Sequence, residues 1–157
     1  MKKRVSAILL ALVLCLTLLP AAAYADGGTA VYVSSSSGND GTGDGSVDKP
    51  YATLAKAVDA AEDGATIYVM SDLTMKECAR FYSKSLTITS DEGGHYTVTR
   101  GSSFQTQPDD ARSWYNPAMV EVQTTGDVGA SLTLTNIIFD DDGKKEGTVF
   151  AQAVSDG

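Results

Sequence analysis

Between Thr53 and Met70 the spacing of apolar positions changes period. Leu54, Ala57, Val58 and Ala61 recur at helical spacing, while Lys56, Asp59 and Glu62 fall away from that stripe. Pro50 cannot sit inside a helix and drives Lys49 towards an extended conformation. Thr53 is then the expected N-cap, its hydroxyl accepting from a free backbone N–H, and Gly64 the expected left-handed residue that ends the helix. The stripe is mostly alanine, so the helix should lie close against what it covers, as a lid over the open end of a β-stack. From Thr66 to Met70 the pattern alternates, with Ile67 and Val69 on one face and Thr66, Tyr68 and Met70 on the other. Before the helix, Val31 and Val33 alternate with Tyr32 in an expected edge strand.

After Met70 the signals repeat in strand-turn units. Leu73 and Met75 suit a short strand, and Ala79, Phe81 and Ser83 alternate with Arg80 and Tyr82. Ser85-Leu86-Thr87-Ile88-Thr89 puts its apolar residues on one face and threonines on the other. Ser90 to Gly94 reads as a turn, and alternation resumes from His95 to Arg100. Val120-Glu121-Val122 is a further strand. Ser131-Leu132-Thr133-Leu134-Thr135 then repeats the earlier five-residue pattern at an offset of 46 residues, compatible with a whole number of repeat units in a solenoid. In that last segment strict alternation would turn Ile137 outward. A bend at Asn136, a residue that tolerates the left-handed region, returns Ile137 and Phe139 to the interior. No helix signal follows Gly64. Parallel strands normally need crossover helices, and a solenoid avoids them by coiling the strands into a prism. The competing architecture is an antiparallel β-sandwich, for which Asp91-Glu92-Gly93-Gly94 would serve as a tight turn.

Several stretches also carry a family resemblance. They are Tyr32-Val33-Ser34, Gly38-Asn39-Asp40-Gly41, Gly45-Ser46, Lys49-Pro50-Tyr51-Ala52-Thr53-Leu54, Ala57-Val58 with Ala60-Ala61, and Gly64-Ala65-Thr66-Ile67-Tyr68-Val69. Together they resemble the N-terminal segment of right-handed parallel β-helix proteins, the pectate-lyase-like secreted proteins of bacteria. The likeness covers Val31 to Met70, and the later rungs follow by pattern. Enzymes of that group usually continue with a Gly-Thr-Tyr-like turn, where this chain has Ser71-Asp72-Leu73-Thr74. The resemblance implies an all-β fold, the first rungs of a right-handed parallel β-helix with a short N-terminal capping helix, and an extracellular setting. It also implies that corner residues such as Asn136 can stack in ladders. It carries no activity, because the family's catalytic and calcium-binding residues lie on later rungs and match no position here.

Lys2, Lys3 and Arg4 precede an apolar run from Ala7 to Leu19, and Ala23-Tyr24-Ala25 is a small-x-small cleavage signal. Residues 1–25 therefore read as a secretory signal peptide, too short in its apolar part to favour spanning a bilayer. Leu14 stands before Cys15 where a lipoprotein anchor needs a small residue. Residues 26–157 form one domain with a modest core. Removing the signal takes away three of the 12 basic residues and none of the 20 acidic ones, so the mature net charge is −11. Such a chain repels nucleic acid and anionic membrane. Cys78 is then the single cysteine, so no internal disulfide forms.

Candidate chemistry is sparse. Cys78 reads either as a nucleophile or intermolecular bridge, or as a small buried side chain. Asp40-x-Thr42-x-Asp44-Gly45 has the look of a calcium loop, but the twelfth position is Tyr51 where a bidentate Glu belongs. The stretch reads as a solvated turn, with a calcium site of another shape on Asp40 and Asp44 kept open. Ser102 to Asn116 is long for a turn. Its Trp114 and Tyr115, with Arg112, Asp109 and Asp110, have the residue types of a sugar-contacting surface, though Trp114 equally suits the apolar flank of the stack. Asp140-Asp141-Asp142-Gly143, with Lys144, Lys145 and Glu146, reads as a charged turn rather than a calcium or glycosidase site. His95, the one histidine, sits beside Gly-Gly at a strand start. Arg80, Lys84 and Arg100 are the bases a lyase would draw on, and nothing in the sequence sets them beside acids on one face.

These observations commit no catalytic, cofactor-binding or metal-ligating residue. The expected protein is a secreted or cell-surface β-helix, non-catalytic, that binds glycans or serves as an adhesin or spacer. The alternative is the N-terminal part of a polysaccharide lyase or glycoside hydrolase acting on acidic polysaccharide. Ala151 to Gly157 reads as a turn between rungs without a polar cap, so the domain is expected to be the beginning of a longer protein.

Overall fold

The computed structural model describes residues 29–105, 118–143 and 149–154. Its strands are β1 (Ala30–Val33), β2 (Thr66–Val69), β3 (Leu73–Glu77), β4 (Ala79–Tyr82), β5 (Ser85–Ser90), β6 (Thr97–Gln105), β7 (Val120–Thr125), β8 (Ser131–Thr135), β9 (Ile138–Asp140) and β10 (Val149–Val154), with a helix α1 (Leu54–Ala60) between β1 and β2. They form three sheets, ordered β1-β2-β5-β8, β3-β6-β9 and β4-β7-β10. Every pairing between these strands is parallel. After β1 and α1, the chain visits the first, second and third sheets in that order three times. Consecutive circuits therefore lie side by side in every sheet. An antiparallel sandwich is overturned: Leu86 and Leu132 are in-register neighbours within one sheet, and the turn at Asp91 to Gly94 leads into a different sheet rather than closing a hairpin.

The alternation in sequence is the alternation in space. Val31, Val33, Ile67, Val69, Leu86 and Ile88 point inward from the first sheet and are buried, while Tyr32, Thr66, Tyr68, Thr87 and Thr89 point outward. Leu73, Met75 and Val98 fill the second wall, and Ala79, Phe81, Val120 and Val122 the third. The 46-residue offset is a single circuit: Ser85 to Thr89 pair residue for residue with Ser131 to Thr135. Asn136 takes φ 49° and turns Ile137 and Phe139 onto the core, leaving Ile138 55% exposed. Its amide donates to the Gly94 carbonyl of the preceding circuit at 3.0 Å. Ser83, at φ 49°, makes another corner, its hydroxyl 2.8 Å from that of Thr125.

α1 closes the first circuit. Thr53 Oγ1 accepts from Lys56 N at 3.2 Å, as its N-cap position demands, and Leu54, Ala57 and Val58 are buried. The helix packs mainly against β4 and touches β1 and β3. Gly64 departs from expectation. The helix ends at Ala61, whose backbone is extended, and Gly64 with φ 78° instead turns the chain into β2, where its N–H donates to Ser85 O at 2.8 Å. Residues 151–154, the described part of the stretch from Ala151 to Gly157 expected as a turn between rungs, instead belong to β10, which pairs in parallel with β7.

Candidate functional site

The outer face of the first sheet carries a pattern that only register reveals. Tyr32, Tyr68, Thr89 and Thr135 stand in one column across the strands, and Thr66, Thr87 and Thr133 in the next. Neighbouring strands are about 4.8 Å apart, and outward residues along one strand about 6.7 Å apart. The hydroxyls thus form a grid without a charged side chain among them. Tyr32 and Tyr68 stack with ring centroids 5.2 Å apart and an interplanar angle of 21°. Partial burial raises the Tyr32 phenol above its usual range, helped by the nearby Asp91, by Tyr68 and by Glu92. The Tyr32 phenol therefore stays a neutral hydrogen-bonding group at physiological pH.

The groups that the sequence offered for chemistry are largely engaged in holding the fold. Asp40 accepts from Ala52 N at 2.7 Å, Thr53 N at 3.1 Å and Thr53 Oγ1 at 2.8 Å, fastening the loop to the start of α1. Asp44 accepts from the Ser46 hydroxyl at 2.6 Å and Ser46 N at 3.0 Å, and these bonds hold its carboxyl below the usual range. Asp140 and Asp141 accept from Asp142 N and Gly143 N inside their own turn. Among the described residues no group of three or more His, Cys, Asp or Glu side chains gathers as metal ligands. Lys84 reaches back to α1, donating to Ala61 O at 2.7 Å and Val58 O at 3.0 Å.

Arg80 corrects one expectation, because an acid does lie beside it on the same face. Its Nε donates to Glu121 Oε2 at 2.6 Å across the β4–β7 pair, and Gln123 also donates to Glu121. This pair sits on the third sheet, with both side chains more than two-thirds covered. Cys78 is buried beside it. Burial, with the Glu121 charge, pushes its thiol up to about 12, so a thiolate nucleophile at neutral pH is excluded. Arg100, inward in β6, is buried with its guanidinium 4.3 Å from the Phe104 ring centroid. His95 is exposed at the corner before β6.

An open cleft of about 380 Å³ lies between the start of α1 and β3, walled by Leu54, Leu73, Met75, Thr53, Ser35 and Glu77. It follows from the topology: β1 precedes β2 in the first sheet and α1 covers β4, while β3 is the outermost strand of the second sheet. The cleft joins apolar side chains to a few polar ones without converging acid and base. Arg112, Trp114, Tyr115, Asp109, Asp110, Lys144, Lys145, Glu146 and residues 1–25 lie outside the described residues.

The Tyr and Thr columns are the feature that reading along the chain missed. Their trace is the repeated triplet of an aromatic between two β-branched residues, Val31-Tyr32-Val33 and Ile67-Tyr68-Val69, but only strand register aligns the two rings. Neither a family model, nor a curated protein, nor a solved structure matches the chain.

Proposed function

We propose that the chain is an exported, non-catalytic module that holds an uncharged polysaccharide along the outer face of its first sheet. In this reading residues 1–25 are the export signal, and the three sheets are the walls of a right-handed parallel β-helix of the pectate-lyase-like kind, capped by α1. The sheet order supports the β-helix, since each circuit adds one strand to each wall. The observation that carries the function is the in-register grid of Tyr32, Tyr68, Thr66, Thr87, Thr89, Thr133 and Thr135. A glycan chain is itself a row of hydroxyls and apolar ring faces at regular spacing. Hydroxyl columns that both donate and accept, beside an aromatic pair, match that chemistry. Charge selects among glycans. The face is neutral, while the mature chain carries −11 by its formal composition, so an anionic polysaccharide is repelled and a neutral one is not.

Cosedimentation with insoluble neutral polysaccharides tests the reading. The mature protein should pellet with at least one of cellulose, chitin, xylan or mannan and leave the glycan uncleaved. A Tyr68→Ala, Thr87→Val variant should lose binding about tenfold or more with its circular dichroism unchanged. Equal binding by the variant, or binding confined to acidic polysaccharides, contradicts the proposal. Release of sugars would favour the lyase or hydrolase alternative.

A further inference from the structure

We propose that the glycan lies along the strands rather than along the stack, in a trough floored by the outer side of β5 and walled by the Tyr68 ring, and that it is an extended, equatorially linked chain. The proposal rests on the first sheet being a glycan face, and it adds a direction and a linkage class. β5 is an inner strand, with β2 on one side and β8 on the other, so its outer surface does not depend on either end of the stack.

The two tyrosines set the direction. Tyr32 and Tyr68 stack face to face, and their centroid separation of 5.2 Å is close to the spacing of about 4.8 Å between neighbouring strands. The ring faces look along the stack axis, and only ring edges and phenols look outward. A sugar cannot lie flat across both rings. One face of Tyr68 is taken by Tyr32, which has the loop from Gly45 to Tyr51 on its own far side: Tyr32 N donates to Gly45 O at 2.8 Å, and Tyr32 O accepts from Tyr51 N at 3.0 Å. The other face of Tyr68 looks over Thr89, its in-register partner on β5 and a much shorter side chain. A sugar ring that stacks there stands edge-on to the sheet, its plane across the stack axis. Equatorial linkages leave a pyranose in the plane of its ring, so such a chain continues along β5. Axial linkages turn out of that plane, into Tyr68 or away from it. The floor continues in the same direction. Ser85, Thr87 and Thr89 face outward from β5, about 13 Å from first to last. Asp91 extends the row: its N–H donates to Val69 O at 2.8 Å, prolonging the β2–β5 ladder, and the buried Ser90 before it leaves Asp91 on the outer side. Its carboxylate accepts from sugar hydroxyls and repels an acidic sugar.

Isothermal titration calorimetry of the mature protein reads both direction and linkage. The probes are cello-, xylo-, manno- and chito-oligosaccharides from disaccharide to hexasaccharide, with malto-oligosaccharides as the axially linked comparison. At least one equatorial series should bind, gaining affinity up to about the tetrasaccharide and little beyond, because the row ends. The malto series should bind at least tenfold more weakly. In the best-bound series Ser85→Ala and Thr89→Val should each weaken binding about three- to tenfold, the loss of one hydrogen bond, with circular dichroism unchanged. Ser85 lies outside the columns of Tyr68 and Thr89, so a chain running along the stack through them would not need it. Equal binding of the malto series, affinity that climbs through the hexasaccharide, or full binding by Ser85→Ala overturns this inference and leaves the glycan face standing. So does a protein that pellets with a neutral polymer but binds none of its oligosaccharides. Failure to bind polymer and oligosaccharide alike overturns both.

Discussion

Asn136 is the position where one residue redirects a whole strand. A non-glycine residue at φ 49° costs roughly 1–2 kcal/mol against the extended form. The bond from its amide to Gly94 O and the inward return of Ile137 and Phe139 offset that cost. This bend was legible because the alternation fails at one place and an αL-tolerant residue stands there. Cys78 shows the complementary case, since its thiol is raised by burial and by the charge of Glu121, which lies 43 positions along the chain. Its behaviour with pH follows from the raised thiol. The unfolded chain loses this proton near the ordinary value of 9, the folded one near about 12. Stability from this group is complete below pH 9 and is lost as pH rises from there towards 12. Urea titrations of wild type and Cys78→Ala between pH 8 and 11 should show a steeper alkaline loss in the wild type. Parallel pH profiles would contradict a protonated, buried thiol, as would rapid labelling of the native protein by a thiol reagent at pH 8.

At the scale of elements, α1 has seven residues, too few to stand without help. Both ends are fastened by side chains remote in sequence or in the preceding loop. Asp40 binds the backbone entering the helix, and Lys84, from the corner before β5, takes two carbonyls at its end. Leu54, Ala57 and Val58 supply the apolar attachment, each buried residue of the Leu or Val class contributing about 1.5–3 kcal/mol. Asp40→Ala should destabilise the fold by about 1 kcal/mol, as loss of a helix-start acceptor does, and Lys84→Met by roughly 1–2 kcal/mol. Chemical denaturation with equal m-values would measure both. No loss in either variant would mean that the fastenings do not contribute. The helix itself was legible from its period and from Thr53. Its terminus was not, because Gly64 is placed by the hydrogen bond to Ser85 in the next circuit, and local spacing carries no record of that bond. Lys84 was visible only as a candidate base for the same reason.

For the whole molecule, the repeat of Ser85 to Thr89 at Ser131 to Thr135 was the clearest trace of the architecture, since the two segments became neighbours in register. The sequence showed which residues alternate, and hence which face is greasy. It did not show which strand lies beside which, because parallel neighbours are separated by two strands of the other sheets. That is why the Tyr32–Tyr68 stack and the threonine columns emerge only from the assembled fold. The proposed glycan face and the packing of α1 against β4, β1 and β3 both require that successive circuits lie parallel and in register. Crosslinking measures this directly. In a Cys78→Ala background, Thr89→Cys with Thr135→Cys places two thiols on adjacent, directly paired positions, within the Cα separation of about 4.4–6.8 Å that a disulfide spans. Thr87→Cys with Thr135→Cys lies two residues out of register, at roughly 7–8 Å, beyond that reach. Mild oxidation followed by peptide mapping should close the first pair within one molecule and leave the second reduced; failure of the first pair, or closure of both alike, would contradict the parallel register.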